Sequence, residues 1–175
     1  MKRITLPNGR QLSQMAYGVW RLSEASDTSV NANLARIDAC LAQGITTFDH
    51  ADIYGDYRCE ALFGEAIKAR PALRDQIEIV TKTDIMLLSQ QWPSTRVKHY
   101  DTSPAHVTAS VERSLQRIGV QVIDLLLKHH PVGVLPVMGS NQLGRIGTFG
   151  QALKVPMDRQ TWFELYELAN GHEVP

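Results

Sequence analysis

The sequence predicts an α/β protein built around a parallel β-sheet. Short apolar runs alternate along the chain with segments that have the spacing of amphipathic helices. Strands that alternate with helices in this way are joined by crossovers, and they therefore run parallel. Ionisable residues also follow several of the apolar runs directly, and parallel sheets carry their chemistry at the carboxyl ends of the strands.

The first half of the chain predicts a hairpin followed by two strands and two helices. Residues 1–14 are expected to form a hairpin with Asn8-Gly9 as its turn. Strands are predicted at 15–20 and 45–48. Between them, apolar residues at spacings of four, three and four predict a helix that ends at Gly44; they are Val30, Leu34, Ile37 and Leu41. A second helix is predicted over 60–69, with Leu62, Ala66 and Ile67 facing inward.

The second half predicts three further strands. They cover 77–81, 122–127 and 134–138, and a long polar loop follows the first of them over 84–102. Ser103 and Pro104 have the residue types of a helix N-cap and first turn. That helix is expected to end at Gly119, with an inward face made by Val107, Val111, Leu115 and Ile118. A last helix is expected from Asp158 to Gly171.

Composition excludes several classes of function. The chain has 175 residues with 18 Lys and Arg against 18 Asp and Glu, so it has no charge excess that would attract nucleic acid or an anionic membrane. No apolar run approaches 18 residues, and the first residues lack the apolar region of a signal peptide. Cys40 and Cys59 are too far apart for a CxxC motif. These features predict a cytoplasmic protein with reduced thiols.

Four ionisable residues lie at or after the predicted strand ends. Asp49 and Tyr54 follow the second strand, Lys82 follows the third, and His129 follows the fourth. A Lys ammonium stabilises a phenolate and lowers the pKa of a nearby Tyr, while a carboxylate can hold the Lys in place. Such a Tyr could protonate a carbonyl oxygen while hydride adds to the carbon, and a His could orient that oxygen. Each residue alone is more often structural, so the prediction depends on their shared edge.

Several longer stretches resemble the aldo-keto reductase family, in particular its bacterial members with a DHADIYG motif. GITTFDHADIYGDYRCEALFGEAIK is similar to the family's second strand and helix, and IEIVTKTDI to its third strand. IDLLLKHHP resembles the fourth strand, VLPVMGSNQLGRI the eighth strand with its cofactor-phosphate loop, and MDRQTWFELYELANGHEVP the C-terminal helix and tail.

The resemblance implies a (β/α)8 TIM barrel that reduces aldehydes and ketones with NADPH and without a metal. It implies Tyr54 as general acid, Lys82 and Asp49 as its tuning pair, and His129 as substrate orienter, with His130 as the alternative. Asp49 is also expected to contact the cofactor, as are Gly18, Val19, Trp20, Gly139, Ser140 and Arg145. Gln142 stands where a Lys is common in the family, so the choice between NADPH and NADH stays open.

The chain is too short for a complete barrel, which needs at least about 200 residues. Residues 1–129 match strands one to four, and residues 131–175 match the end of the barrel, so strands five to seven are missing from this single domain. A parallel crossover needs about a dozen residues, whereas only 128–133 separate the last two predicted strands. We expect that the barrel does not close, and that the last strand pairs antiparallel or is displaced. Open sheet edges then predict self-association and poor turnover.

Two other classes of function compete with carbonyl reduction. Some barrels of this family are non-catalytic regulatory subunits that bind a cofactor, and retention of the four site residues argues against that class. A sugar isomerase or hydrolase would need a metal cluster or paired carboxylates, which the sequence does not offer. The expected partner is a small carbonyl compound, and neither nucleic acid nor a membrane is expected.

Overall fold

The computed structural model describes residues 1–128, 137–156 and 168–169. Its N-terminal hairpin pairs β1 (Arg3–Thr5) with β2 (Gln11–Ser13). Gly9 has a φ of 81° in the turn, as the Asn-Gly pair predicts.

A parallel sheet forms the centre of the molecule. In chain order its strands are β3 (Ala16–Gly18), β4 (Thr47–Asp49), β5 (Glu78–Thr83), β8 (Leu125–Lys128) and β9 (Val137–Met138). The spatial order is β8-β5-β4-β3-β9, and each neighbouring pair is parallel. The predicted α/β class is therefore confirmed. Among the described residues β8 and β9 each pair on one side only, so the sheet has two edges and is not closed.

Helices connect and cover the strands. They are α1 (Val30–Leu41), the short bent segment α2 (Tyr54–Tyr57), α3 (Cys59–Ala69), α4 (Pro104–Ile118) and α5 (Leu143–Ile146). Shorter 3-10 turns cover Leu22–Glu24, Pro71–Asp75 and Phe149–Lys154. The predicted polar loop also contains a small antiparallel pair, β6 (Ile85–Met86) and β7 (His99–Tyr100).

The caps of α4 agree with the sequence. The Ser103 hydroxyl accepts a hydrogen bond from His106 N, and Gly119 has a φ of 76° at the C-terminal end. The predicted inward face of α4 is confirmed at Ile118, which is fully buried, and at Leu115, which packs against the core, whereas Val107 and Val111 are only half-buried. Ser110 and Ser114 on the same face are also fully buried, because their hydroxyls donate hydrogen bonds to the buried carboxylates of Asp52 and Glu60.

The expected placement of the last strand is also wrong. β9 is neither antiparallel nor displaced: it pairs parallel with β3, in the register Ala16↔Val137 and Tyr17↔Met138. The free edge of β3 supplies the backbone partners that β9 needs. The length argument assumed a strand beginning at residue 134, whereas the described pairing is confined to Val137–Met138. The order β3 next to β9 is that of the first and last strands in a barrel.

Candidate active site

The carboxyl ends of β4 and β5 place Asp49 and Lys82 side by side. Lys82 Nζ lies 2.6 Å from Asp49 Oδ1 and donates a second hydrogen bond of 2.9 Å to the His50 carbonyl oxygen. The side chains of Asp49 and Lys82 are only 7% and 16% exposed. This ion pair therefore lies largely out of water, where its charges are weakly screened. The structure brings together two of the predicted site residues here.

Tyr54 completes the group. Its hydroxyl oxygen lies 3.2 Å from Lys82 Nζ, and Lys82 Nζ also stands 5.2 Å from the centre of the Tyr54 ring. The chain turns sharply after Tyr54, because Gly55, Asp56 and Tyr57 all have positive φ values. A Cβ on Gly55 would collide with the Ser23 side chain and would stand 2.6 Å from Cys59 Sγ. Only glycine fits this turn, which sets the direction of the Tyr54 ring.

Two opposing effects set the pKa of the Tyr54 phenol. Burial raises it above its usual value, and Lys82 lowers it. The nearby Asp49 carboxylate raises it again. The lysine acts in the predicted direction, but burial outweighs it and the net pKa is raised. In this state Tyr54 keeps its proton at neutral pH, which is the protonation state that a general acid needs.

Side chains of the core bind the loop after β9 through the carbonyl oxygens of Ser140 and Asn141. Tyr17 donates a hydrogen bond of 2.7 Å to the Ser140 carbonyl oxygen, and Arg36 Nε donates one of 3.4 Å to that of Asn141. Asn141 Nδ2 in turn donates to the Arg21 carbonyl oxygen. In a trans peptide the N–H points opposite to the C=O. The Asn141 N–H, in the peptide that follows the Ser140 carbonyl, therefore points away from Tyr17, while the Gln142 N–H donates a hydrogen bond of 3.1 Å to Ser140 Oγ.

The other predicted cofactor contacts divide into three kinds. Gly18 ends β3 and Gly139 directly follows β9, and a Cβ on Gly139 would stand 3.4 Å from the Gly18 carbonyl oxygen. Val19 is 1% exposed and belongs to the core, so only its backbone faces the site. Trp20 is 60% exposed, with its ring 6.2 Å from that of Tyr54.

Arg145 is exposed on α5. This helix has only four residues. Its dipole is therefore too small to serve as the anion site that a longer helix would provide.

His129 and its alternative His130 lie outside the described residues, as does the last predicted helix except for residues 168 and 169. Sequence reasoning missed Tyr17 and Arg36, which hold the loop. It also left His50 and Asp52 of the DHADIYG motif without a role. A signal for Arg36 was present, because it is a cation on the inward half of an amphipathic helix, and a charge is rarely buried without partners.

Two further features bear on the class of protein. Within the residues that the structure describes, no three His, Cys, Asp or Glu side chains are grouped closely enough to hold a metal ion. In the same part of the chain, no helix has both the length and the apolar character needed to cross a membrane.

Comparison with known proteins agrees with this geometry. Residues 14–170 match the profile of the Aldo/keto reductase family. The chain belongs to the aldo/keto reductase family. The oxidoreductase YcsN of Bacillus subtilis is 48% identical over 131 residues, which cover 75% of this chain and 43% of that protein. The 6-dehydroglucose reductase of Agrobacterium fabrum is 32% identical over 296 aligned positions, which cover 99% of this chain and 100% of that protein.

A solved structure supports the fold. The aldo-keto reductase AKR11C1 of Bacillus halodurans superposes with a TM-score of 0.58 at 26% identity, covering 73% of this chain and 40% of that one. The chain thus spans less than half the length of two of these three relatives. The alignment to the Agrobacterium protein is longer than the 175 residues of this chain, so well over a hundred of that relative's residues have no counterpart. The fold is that of an incomplete TIM barrel.

Proposed function

We propose that this chain keeps the chemistry of an NADPH-dependent reductase of aldehydes and ketones, in which Tyr54 is the proton donor. The observation that carries the proposal is the placement of Lys82 Nζ between Asp49 Oδ1 at 2.6 Å and the Tyr54 hydroxyl at 3.2 Å. The relatives support the coarser part of it, because their names are those of reductases and oxidoreductases.

The site residues would divide the work as follows. The Tyr54 O–H donates its proton to the carbonyl oxygen of the substrate, and Lys82 stabilises the phenolate that this leaves. Asp49 holds the Lys82 ammonium in place. When bound, a nicotinamide cofactor supplies the hydride for the carbonyl carbon. His129 stays a predicted substrate orienter, with His130 as the alternative.

The described residues fit the nicotinamide end and the phosphate end of such a cofactor. At one end, Gly18, the Val19 backbone and Trp20 border Tyr54 and Asp49. At the other, the outward Asn141 N–H that follows Ser140 and the exposed Arg145 offer a donor and positive charge to a phosphate. We assign the 2′-phosphate of NADPH to Ser140 and Arg145, so Arg145→Ala should weaken the binding of NADPH far more than that of NADH.

The proposed substrate is a small, sugar-derived aldehyde. Two relatives, from Agrobacterium fabrum and Novosphingobium aromaticivorans, are named 6-dehydroglucose reductase. 6-Dehydroglucose is therefore the first aldehyde to test, with a simple aromatic aldehyde as a general probe.

Tyr54→Phe tests the assignment. Cofactor oxidation is followed by absorbance at high protein concentration, because we expect the shortened chain to turn over slowly. The variant should reduce aldehydes about a hundredfold more slowly or worse, the range for loss of a general acid. The dissociation constant of NADPH should stay within about twofold, because the phenol does not hold the dinucleotide.

Tyr100→Phe is the matched control, since Tyr100 is 65% exposed and lies on β7. It should behave as the parent chain does. Equal turnover by Tyr54→Phe and the parent chain would overturn the assignment. Tight NADPH binding with no turnover that depends on Tyr54 would instead favour a non-catalytic, cofactor-binding relative.

A further inference from the structure

Lys82 is flanked on β5 by two threonines that face the opposite side of the sheet. Successive side chains of a strand alternate between its faces, so Thr81 and Thr83 point toward the helices while Lys82 points to the site. Both threonine side chains are buried, and each hydroxyl donates to a buried carboxylate. The residues immediately before and after Lys82 in the chain are therefore each held by a hydrogen bond to a buried carboxylate.

The first anchor is Glu60, at the beginning of α3. Its Oε1 accepts a hydrogen bond of 2.8 Å from Thr81 Oγ1, and its Oε2 accepts one of 3.0 Å from Ser114 Oγ on α4. Glu60 is fully buried, and Arg117 Nη1 lies 3.8 Å from Oε2. One carboxylate thus joins β5, α3 and α4.

The second anchor is Asp52, in the loop between β4 and Tyr54. Its Oδ2 accepts a hydrogen bond of 3.2 Å from Thr83 Oγ1 and another from Ser110 Oγ, one turn before Ser114 on α4. The Asp52 N–H also donates to the Lys82 carbonyl oxygen at 3.1 Å. This carboxylate therefore ties α4 to both the Lys82 strand and the loop that carries Tyr54.

Packing alone does not account for two carboxylates at these positions. Burial raises the pKa of both Asp52 and Glu60, which means that their charged forms are disfavoured there. Apolar side chains of similar volume would stabilise such an interior as well or better. What the carboxylates provide and apolar groups do not is a directed hydrogen bond to each neighbour of Lys82.

We propose that Asp52 and Glu60 are positioning residues for Lys82, fixing β5 against α4 so that the ammonium stays between Asp49 and Tyr54. The consequence for catalysis rests on the proposed function, because Lys82 acts there through Tyr54. The placement of Lys82 itself can be measured without turnover.

The test is the double variant Thr81→Val, Thr83→Val, which keeps the shape of both side chains and removes both hydrogen bonds. Lys82 in the folded protein is labelled with an amine-reactive ester, and its rate is read by peptide mapping against the exposed Lys68 in the same sample. A Lys82 side chain released from Asp49, His50 and Tyr54 is more accessible and more easily deprotonated to the reactive amine, so it should be labelled at least about threefold faster relative to Lys68.

Thr46→Val is the matched control. Thr46 Oγ1 donates a hydrogen bond of 2.7 Å to Glu78 Oε2, also a threonine–carboxylate bond to β5, but at the other end of that strand. This variant should leave the labelling ratio unchanged. An unchanged ratio in the folded double variant would overturn the proposal. Should the double variant not fold, Ser110→Ala with Ser114→Ala releases the carboxylates from α4 and is judged by the same ratio.

Glu60→Gln and Glu60→Leu distinguish the effect of the hydrogen bond to Thr81 from the effect of side-chain volume. The amide oxygen of Gln can still accept the hydrogen bond from Thr81, so Lys82 should be labelled at the parent rate in Glu60→Gln. In Glu60→Leu, which lacks an acceptor, Lys82 should be labelled faster. Where turnover is measurable, kcat should fall about tenfold in Glu60→Leu with NADPH affinity within twofold. If Tyr54→Phe has no effect on turnover, the proposed function fails, but the labelling result still decides the positioning role.

Discussion

At the scale of single residues, the protonation state of Tyr54 depends on two opposing effects on its pKa, burial and the charge of Lys82. Tyr54 keeps its proton because burial outweighs Lys82, while the lysine favours the phenolate that forms when the proton leaves. His50, the next residue after Asp49, is held neutral for a similar reason. Its ring is fully buried and packs edge-on against Phe63 at 4.6 Å. Burial, and after it the charge of Lys82, lowers the pKa of His50 to about 3.

His50 predicts a loss of stability in mild acid. In the unfolded chain a His takes up a proton near pH 6.5, whereas the folded protein excludes that proton down to about pH 3. A depressed pKa contributes stability that is present above the unfolded value and is lost as the pH falls toward the folded value. At pH 5 the cost is about 2 kcal/mol relative to pH 7.5.

His50→Leu should remove this part of the pH dependence. The free energy of unfolding is measured with urea at pH 7.5 and pH 5 for both proteins. The buried carboxyls Asp52 and Glu60, whose raised pKa values act in the opposite direction, are present in both and cancel in the comparison. Equal losses in the parent chain and in His50→Leu would show that His50 is not held neutral.

At the scale of elements, the bent segment α2 decides where the phenol lies. Three consecutive residues, Gly55 to Tyr57, have positive φ values of 62°, 55° and 63°. The conformation is rare for residues with a Cβ, and it is maintained by contacts such as Tyr57 Oη with Leu87 N at 3.0 Å. The turn reverses the chain between Tyr54 and α3, so the tyrosine faces Lys82 while Glu60 faces the helices.

Gly55→Ala should lower the free energy of unfolding by more than the backbone strain of an alanine with a positive φ, because the added Cβ also collides with neighbouring side chains. Gly9→Ala is the matched control, because Gly9 has a φ of 81° and a Cβ there would meet nothing within 4 Å. Gly9→Ala should cost about 1–2 kcal/mol of unfolding free energy, the usual penalty for the left-handed conformation. Gly55→Ala should cost clearly more, because its Cβ meets Ser23 and Cys59. Similar urea midpoints for the two variants would contradict a steric role.

At the scale of the whole molecule, five parallel strands leave the sheet open within the described residues. Leu126 lies on the outer strand β8 opposite Thr81, and it is 40% exposed on the face that helices cover elsewhere. Val122, just before that strand, is 47% exposed. An edge strand with apolar side chains is a template for pairing with another chain.

We therefore predict that the protein self-associates. Light scattering during size-exclusion chromatography should give a mass above the 19.6 kDa of one chain, rising with concentration. Leu126→Lys places a charge on the edge strand and should shift the mass toward that of one chain. Val97→Lys, at a residue 64% exposed on the long loop, is the control and should change little. A single-chain mass at every concentration would contradict the prediction.

The sequence by itself determined the class of fold, and it predicted side chains that the structure brings together, because both depend on local patterns. Alternating apolar runs and helical spacing predicted the parallel sheet, and position after a strand end predicted that Asp49 and Lys82 meet. The shortage of residues predicted a barrel that does not close. The division of the domain near 129–131 stays a prediction, since residues 129–136 lie outside the described part.

Only the tertiary structure decided the features that depend on contacts between distant segments. The hydroxyls of Ser110 and Ser114 are polar, so an apolar stripe could not reveal that they form the buried centre of α4. Their partners Asp52 and Glu60 are 58 and 54 residues away. The pairing of β9 with the free edge of β3 likewise joins segments more than a hundred residues apart. Which free backbone edge a strand will satisfy is a property of the assembled sheet, because a short apolar run can pair with any of them.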